Sequence, residues 1–171
     1  NVPEECHVIL NCEPFQGFEA RSDVIVKTNE KPASGVELVF FGRLETRKGL
    51  DIFLRALRKI SDEDKETVSG VTFLGKNVTI GKTDSFTYIM NQTKNLGLAV
   101  NVISDYDRTN ANEYIKRKNV LVIIPSLVEN SPYTVYECLI NNVNFLASNV
   151  GGIPELIQQE HHAEVLFIPT P

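Results

Sequence analysis

A three-layer α/β domain, a parallel sheet with helices on both faces, is predicted by three features of the sequence. Short apolar runs rich in Val, Ile and Phe recur along the chain, and continuous apolar runs are what a sheet covered on both faces needs. Stretches with helical spacing separate them, and strand, helix, strand repeated in this way implies right-handed crossovers and parallel pairing. The 171 residues, 42% hydrophobic and 23% charged, suit one globular domain of about 100–200 residues.

Strands are predicted at residues 7–10, 37–41, 71–74, 99–103, 119–124, 144–147 and 165–168. The clearest helix opens near Thr46 or Lys48. There Leu50, Phe53, Leu54, Leu57 and Ile60 recur at three and four residues as one apolar stripe, leaving Arg47, Asp51, Arg55 and Arg58 mainly to solvent. Further helices are predicted over 84–96, 110–118, 132–141 and 153–158, each between two strand candidates. Residues 13–34, with Pro14, Gly17 and Pro32, read as a loop-rich lead-in. Residues 1–36 are assigned to the same domain as 37–171. The sequence stops directly after a strand, which such a sheet normally covers with a helix, so the chain is expected to come from a longer one.

Composition removes several function classes. Seventeen Lys and Arg against twenty-two Asp and Glu give a net charge of −5, so no global field gathers nucleic acid or an anionic membrane. Cys6, Cys12 and Cys138 are an odd number without ligand spacing, as expected for reduced thiols in a cytoplasmic protein. No basic flank precedes an apolar stretch at the start of the sequence, and the most apolar run, residues 120–125, is far short of the roughly 20 residues of a membrane span. The glycosylation sequons at Asn77 and Asn91 are therefore read as accidental. His161 and His162 have no Cys or carboxylate cluster to complete a metal site and read as a surface pair. The segment 75–83 ends in Gly-Lys-Thr after a strand but is one residue too long for a phosphate loop, with Lys76 where a glycine is needed. No Gly-x-Gly-x-x-Gly occurs, which speaks against a nicotinamide or flavin site.

Three strand ends carry candidate chemistry. In the first, Phe41-Gly42-Arg43 leads through Thr46 to Lys48-Gly49. Gly42 lets a ligand approach the backbone, and two cations flanking a turn into a helix suit a diphosphate. The plain reading is Arg43 as a solvated loop residue and Lys48 on the exposed face of the first helical turn. In the second, Pro125-Ser126 is followed by Glu129 and, beyond Ser131-Pro132, by a helix with Glu137 in its second turn. Ser131 is the expected N-cap with Pro132 at the first helical position, and the free amides near Tyr133 and Thr134 favour an anion. A carboxylate is the natural acceptor for paired sugar hydroxyls, although spacing alone favours Glu129 as a cap and Glu137 on a solvated face, since Glu is a common helix residue. In the third, Gly151-Gly152-Ile153-Pro154-Glu155 makes a turn into a helix, and its glycines either form the turn or let a sugar lie against the backbone.

Together these blocks, in this order, resemble the C-terminal half of a retaining glycosyltransferase of the GT-B fold, family 4 (glycosyl transferases group 1), over residues 37–168. The resemblance implies a Rossmann-like domain that binds a nucleotide-diphosphate sugar, with Arg43 and Lys48 holding the diphosphate and the amides of Tyr133 and Thr134 cradling it. Glu137 would accept the ribose hydroxyls, Glu129 would contact the transferred sugar, and Ser104-Asp105 would lie at the base. Gly42, Gly151 and Gly152 complete the implied donor site. The implied reaction moves a sugar from a UDP- or GDP-sugar to a glycan or lipid-linked acceptor hydroxyl with retention, without a metal or other cofactor, and with Glu129, Arg43 and Lys48 as its catalytic residues. The acceptor domain would be a missing N-terminal half, and the full-length enzyme would work in the cytoplasm, with peripheral association at the membrane face. Pro132 departs from the family's pattern, having no N–H to offer. A non-catalytic nucleotide-sugar-binding or regulatory subunit would share the fold. A flavodoxin-like or receiver-like module is disfavoured, since Gly42-Arg43 stand where it needs acidic residues.

Overall fold

The computed structural model describes residues 35–170; the expected strand at 7–10, the lead-in at 13–34, Cys6 and Cys12 lie outside them. Along the chain run β1 (Val36–Phe41), α1 (Leu50–Arg58), α2 (Asp62–Lys65), β2 (Val68–Leu74), β3 (Thr79–Ile80), β4 (Thr83–Asp84), α3 (Ser85–Thr93), β5 (Val100–Ile103), α4 (Arg108–Ile115), β6 (Val120–Ile124), α5 (Tyr133–Ile140), β7 (Phe145–Ser148), α6 (His162–Val165) and β8 (Leu166–Phe167).

Six strands form one sheet in the order β5-β2-β1-β6-β7-β8, and all its pairings are parallel. This is the doubly wound order, in which the winding reverses between β1 and β6. Ligands of such sheets bind at that reversal, beyond the carboxyl ends of the strands. The expected fold class is the observed one.

Alternation along the strands feeds two cores. Phe40 and Phe73 pack beneath α1 and α3 with Phe53, Leu50, Leu54, Leu57 and Ile89, the three rings lying 5.5–6.0 Å apart between centroids. Val39, Val122, Ile124, Val135, Cys138 and Phe145 fill the opposite face, where Ile115 of α4 joins them. Of the stripe expected from Leu50 to Ile60, Leu50, Phe53, Leu54 and Leu57 are the buried face of α1, while Ile60 lies past its end, partly buried against the same core.

Four local features differ from expectation. A short helix, α2, forms because the Ser61 hydroxyl accepts from the Asp64 amide at 3.1 Å. The phosphate-loop look-alike is an antiparallel hairpin, β3 with β4, turned at Gly81 with φ +61, after which Asp84 caps α3 by accepting from the Thr87 amide at 2.9 Å. The helix expected over 153–158 is only a 3-10 turn, Pro154–Leu156, because Ile157 becomes extended and buries its side chain. His162 Nε2 lies 2.9 Å from the Ile157 carbonyl and 3.1 Å from that of Pro154. Both histidines sit in helical turns, with His161 3.4 Å from Glu164. Finally, Val165 closes α6 instead of opening β8. No helix among the described residues is long and apolar enough to cross a membrane.

Candidate functional site

Three loops leave the carboxyl ends of neighbouring strands: residues 42–49 after β1, 125–132 after β6 and 149–153 after β7. Their backbones are tied to one another. The Leu127 amide donates to the Arg47 carbonyl at 2.9 Å, and the Gly152 amide donates to the Glu129 carbonyl at 3.3 Å. From the end of β7, the buried Ser148 hydroxyl donates to the Ser126 carbonyl at 2.5 Å. Two glycines make this closeness possible. A Cβ on Gly49 would stand 1.7 Å from the Pro125 carbonyl oxygen, and one on Gly151 would stand 1.7 Å from that of Glu129. Both residues also have left-handed backbone, with φ +79 and +52.

The loops bring Lys48 and Glu129 into a direct ion pair, Nζ to Oε1, with side chains 17% and 7% exposed. The Ser126 hydroxyl donates to the same carboxylate oxygen at 2.9 Å. Glu129 is therefore no helix cap, and the pair is held between β1 and β6, at the reversal point. Arg43 stands apart from it, half exposed and 3.4 Å from Glu45, which also takes Arg47 at 3.1 Å. Gly42 leaves room: the nearest atoms to a Cβ there would be Lys48 Cβ and Cγ at 4.0 Å.

α5 begins one residue later than expected. Pro132 rather than Ser131 is its N-cap, with φ −79 and ψ 108, and no side chain caps its first turn. A proline at that position contributes no side-chain acceptor. Helices α2, α3 and α4 are each capped by a Ser or Asp side chain. The first-turn amides of α5 are the donors that sequence reasoning assigned to Tyr133 and Thr134, and Tyr133 is exposed.

Glu137 lies one turn further in and is buried, not on a solvated face. Burial pushes its carboxyl above the ordinary carboxylate range, while the Arg108 guanidinium pulls it back. Arg108 Nε reaches Glu137 Oε1 at 2.7 Å from the first residue of α4. Sequence reasoning missed Arg108 because it started this helix at residue 110. The available signal was Asp107, whose carboxylate caps α4 by accepting from the Asn110 amide at 2.8 Å. Ser104 is exposed at the end of β5, the outermost strand, and it is Arg108, four residues later, that reaches α5.

The faces of Gly151 and Gly152 that a side chain would occupy are filled by the carbonyls of Glu129 and Asn130, 1.7 and 1.8 Å from the built Cβ positions. These glycines thus seat the loop that carries Glu129. Buried Cys138 follows Glu137, and burial raises its thiol pKa strongly. Among the described residues no group of three or more His, Cys, Asp or Glu side chains could hold a metal ion.

The family model described as glycosyl transferases group 1 matches residues 22–170. The chain belongs to that family. An uncharacterized glycosyltransferase of Methanocaldococcus jannaschii is 26% identical over 168 residues, covering 94% of this chain and 40% of that protein. This glycosyltransferase domain thus spans less than half the length of that relative. Among solved structures, the C-terminal domain of a glycosyl transferase group 1 family protein from Francisella tularensis superposes with a TM-score of 0.62 at 19% identity, covering 79% of this chain and 68% of that one. HepE of Anabaena, solved in complex with UDP and glucose, gives a TM-score of 0.61 at 21% identity over 80% of this chain and 35% of that one. These likenesses agree with the doubly wound sheet and its GT-B type.

Proposed function

We propose that this chain is the donor-binding half of a retaining, family 4 glycosyltransferase that moves a sugar from a UDP- or GDP-sugar to a hydroxyl of a glycan or lipid-linked acceptor. The observation that carries the reading is the placement of Lys48, Glu129 and the uncapped start of α5 together at the reversal point of the sheet. HepE, of the same fold, was solved with UDP and glucose, which supports a nucleotide-sugar ligand.

In this reading the donor diphosphate lies across the start of α5, where free amides and the helix dipole favour an anion. Lys48 and Arg43 meet it from the β1 side. As the bond from the anomeric carbon to the phosphate oxygen breaks, its electron pair goes to the diphosphate, the acceptor hydroxyl oxygen bonds to the anomeric carbon, and the hydroxyl proton passes to the departing diphosphate. Fixed cations and amides stabilise that developing charge without a metal ion. Glu129 holds the transferred sugar's hydroxyls and acts by positioning, not as a nucleophile. Lys48 and Glu129 form an ion pair, and a diphosphate that takes up Lys48 frees the Glu129 carboxylate to accept from the sugar. Gly151 and Gly152 keep the Glu129 loop in place, Glu137 accepts the ribose hydroxyls, and Ser104 lies toward the base. The acceptor belongs to an N-terminal domain beyond this chain, and the full-length enzyme works in the cytoplasm, with peripheral association at the membrane face.

The test is transfer by the full-length protein from UDP- and GDP-sugars, with and without chelator, and the anomeric configuration of the product read by NMR. Retained configuration and activity in chelator are expected. Inversion contradicts the retaining mechanism, a metal requirement contradicts the charge assignment to Lys48 and Arg43, and nucleotide binding without turnover identifies a regulatory subunit.

A further inference from the structure

Arg108 is the charged side chain paired with Glu137, and it arrives from a different helix. The pair is unequal: Glu137 is 9% exposed and Arg108 63%. One turn further along both helices, Asn141 Nδ2 donates to Asn112 Oδ1 at 3.3 Å, so α4 and α5 are joined at two successive levels. The far end of α4 is anchored to the sheet by the Tyr114 hydroxyl, 2.6 Å from Glu37 and 2.9 Å from Thr72. The Arg117 guanidinium stacks 3.7 Å from the centre of the same Tyr114 ring and pairs with Glu37. Arg108 is thus delivered to Glu137 by a helix fixed along its length.

The second Glu137 oxygen remains reachable. Every buried side-chain oxygen or nitrogen among the described residues has a hydrogen-bond partner, and the bond to Glu137 falls on Oε1. On α5 itself the adjacent group is Cys138, a thiol that burial keeps protonated. A carboxylate in such surroundings drifts toward its protonated form, which gives up acceptor capacity that a pair of hydroxyls needs.

We propose that Arg108 is a positioning residue for the ribose of the donor, holding the Glu137 carboxylate by Oε1 so that Oε2 is presented to the vicinal hydroxyls of a nucleoside diphosphate. This rests on the reading of Glu137 given above. Arg108 contributes orientation, by fixing one oxygen of a side chain with rotatable bonds, and charge, by keeping that side chain ionised.

The test compares wild type, Arg108→Met and Arg108→Lys in binding UDP, GDP and ADP against their 2′,3′-dideoxy counterparts, with the Glu137 carboxyl titrated by NMR in each protein. Thermal unfolding checks that each variant is folded. Arg108→Met is expected to weaken the ribonucleotide about tenfold or more at neutral pH and to leave the dideoxy form unchanged. The Glu137 carboxyl should titrate at higher pH in that variant, and Arg108→Lys should recover most of both effects. Equal weakening of both nucleotide forms, or no weakening, overturns the role of Arg108. If wild type binds ribo and dideoxy forms equally, or binds neither, Glu137 is not the ribose acceptor and the reading beneath the proposal falls with it.

Discussion

Gly151→Ala is the sharpest probe of how the Glu129 loop is seated. Gly151 has φ +52, and its added Cβ would lie 1.7 Å from the Glu129 carbonyl oxygen, where real Cβ contacts essentially never fall below 3.0 Å. Backbone must therefore retreat by more than an ångström, and the backbone in question carries Glu129. A left-handed alanine costs about 1–2 kcal/mol, and overpacking at such a contact adds ~1–3 kcal/mol. The expected loss in urea unfolding is then about 2–5 kcal/mol, against a typical total near 5–15 kcal/mol. Two controls separate the contributions. Gly97 has φ +70 with nothing within 4 Å of a built Cβ, so Gly97→Ala reports the backbone cost alone. Gly152 has no left-handed φ, but its Cβ would lie 1.8 Å from the Asn130 oxygen, so Gly152→Ala reports the clash alone. Displacing Glu129 by an ångström should also lower transfer by the full-length enzyme on the order of 100-fold. A Gly151→Ala protein no less stable than Gly97→Ala would refute the reasoning.

Three further outcomes follow from the same geometry. Lys48→Met strands the Glu129 carboxylate with Ser126 as its remaining partner and should cost about 3 kcal/mol, most of it recovered in the Lys48→Met, Glu129→Gln double variant; strict additivity in chemical denaturation would contradict a coupled pair. Because burial holds the Glu137 carboxyl above the ordinary glutamate value of 4.5, the folded state keeps a proton that the unfolded chain has already released, so stability falls as pH rises from 4.5 through the folded value. Thermal unfolding of Glu137→Gln should lack that fall, gaining on wild type toward neutral pH, and parallel pH profiles would dismiss the burial effect. Phe73→Ala removes a fully buried ring in contact with Phe40 and Phe53 and should cost about 3–5 kcal/mol in urea unfolding, with a loss below 1 kcal/mol inconsistent with the packing described.

Most of the sheet was legible because a parallel strand covered on both faces must be apolar throughout, as in residues 120–124, and because α1 carries a regular apolar stripe. Where the signal was local and polar, boundaries slipped. The start of α4 is set by the Asp107 carboxylate rather than by periodicity, since residues 108–115 bury only Ile115. The turn at 153–158 has the spacing of a helix, yet Ile157 is buried by leaving helical geometry. The spacing in residues 75–83 excludes a phosphate loop, but the hairpin there is set by two-residue strands and the left-handed Gly81, which leave no apolar periodicity to read.

At the site, the order of Lys48, Glu129 and Glu137 at strand ends was readable, whereas their partnerships were not. A sequence shows that Glu137 sits in the second turn of a helix. Whether that turn faces water or a neighbouring helix depends on the distance between α4 and α5, which contacts far apart in the chain decide. The same holds for Gly151, whose role follows from a carbonyl more than twenty residues away.

The most direct test of the donor-site assignment is an NMR titration of this chain with UDP, GDP and ADP, each compared with its monophosphate, in wild type and in Lys48→Ala. The account predicts that one diphosphate shifts the amides of Gly42, Lys48, Tyr133 and Thr134 together, that the monophosphate binds more weakly, and that Lys48→Ala narrows that difference. Diphosphates that bind no better than monophosphates, or shifts that leave the start of α5 untouched, would contradict it.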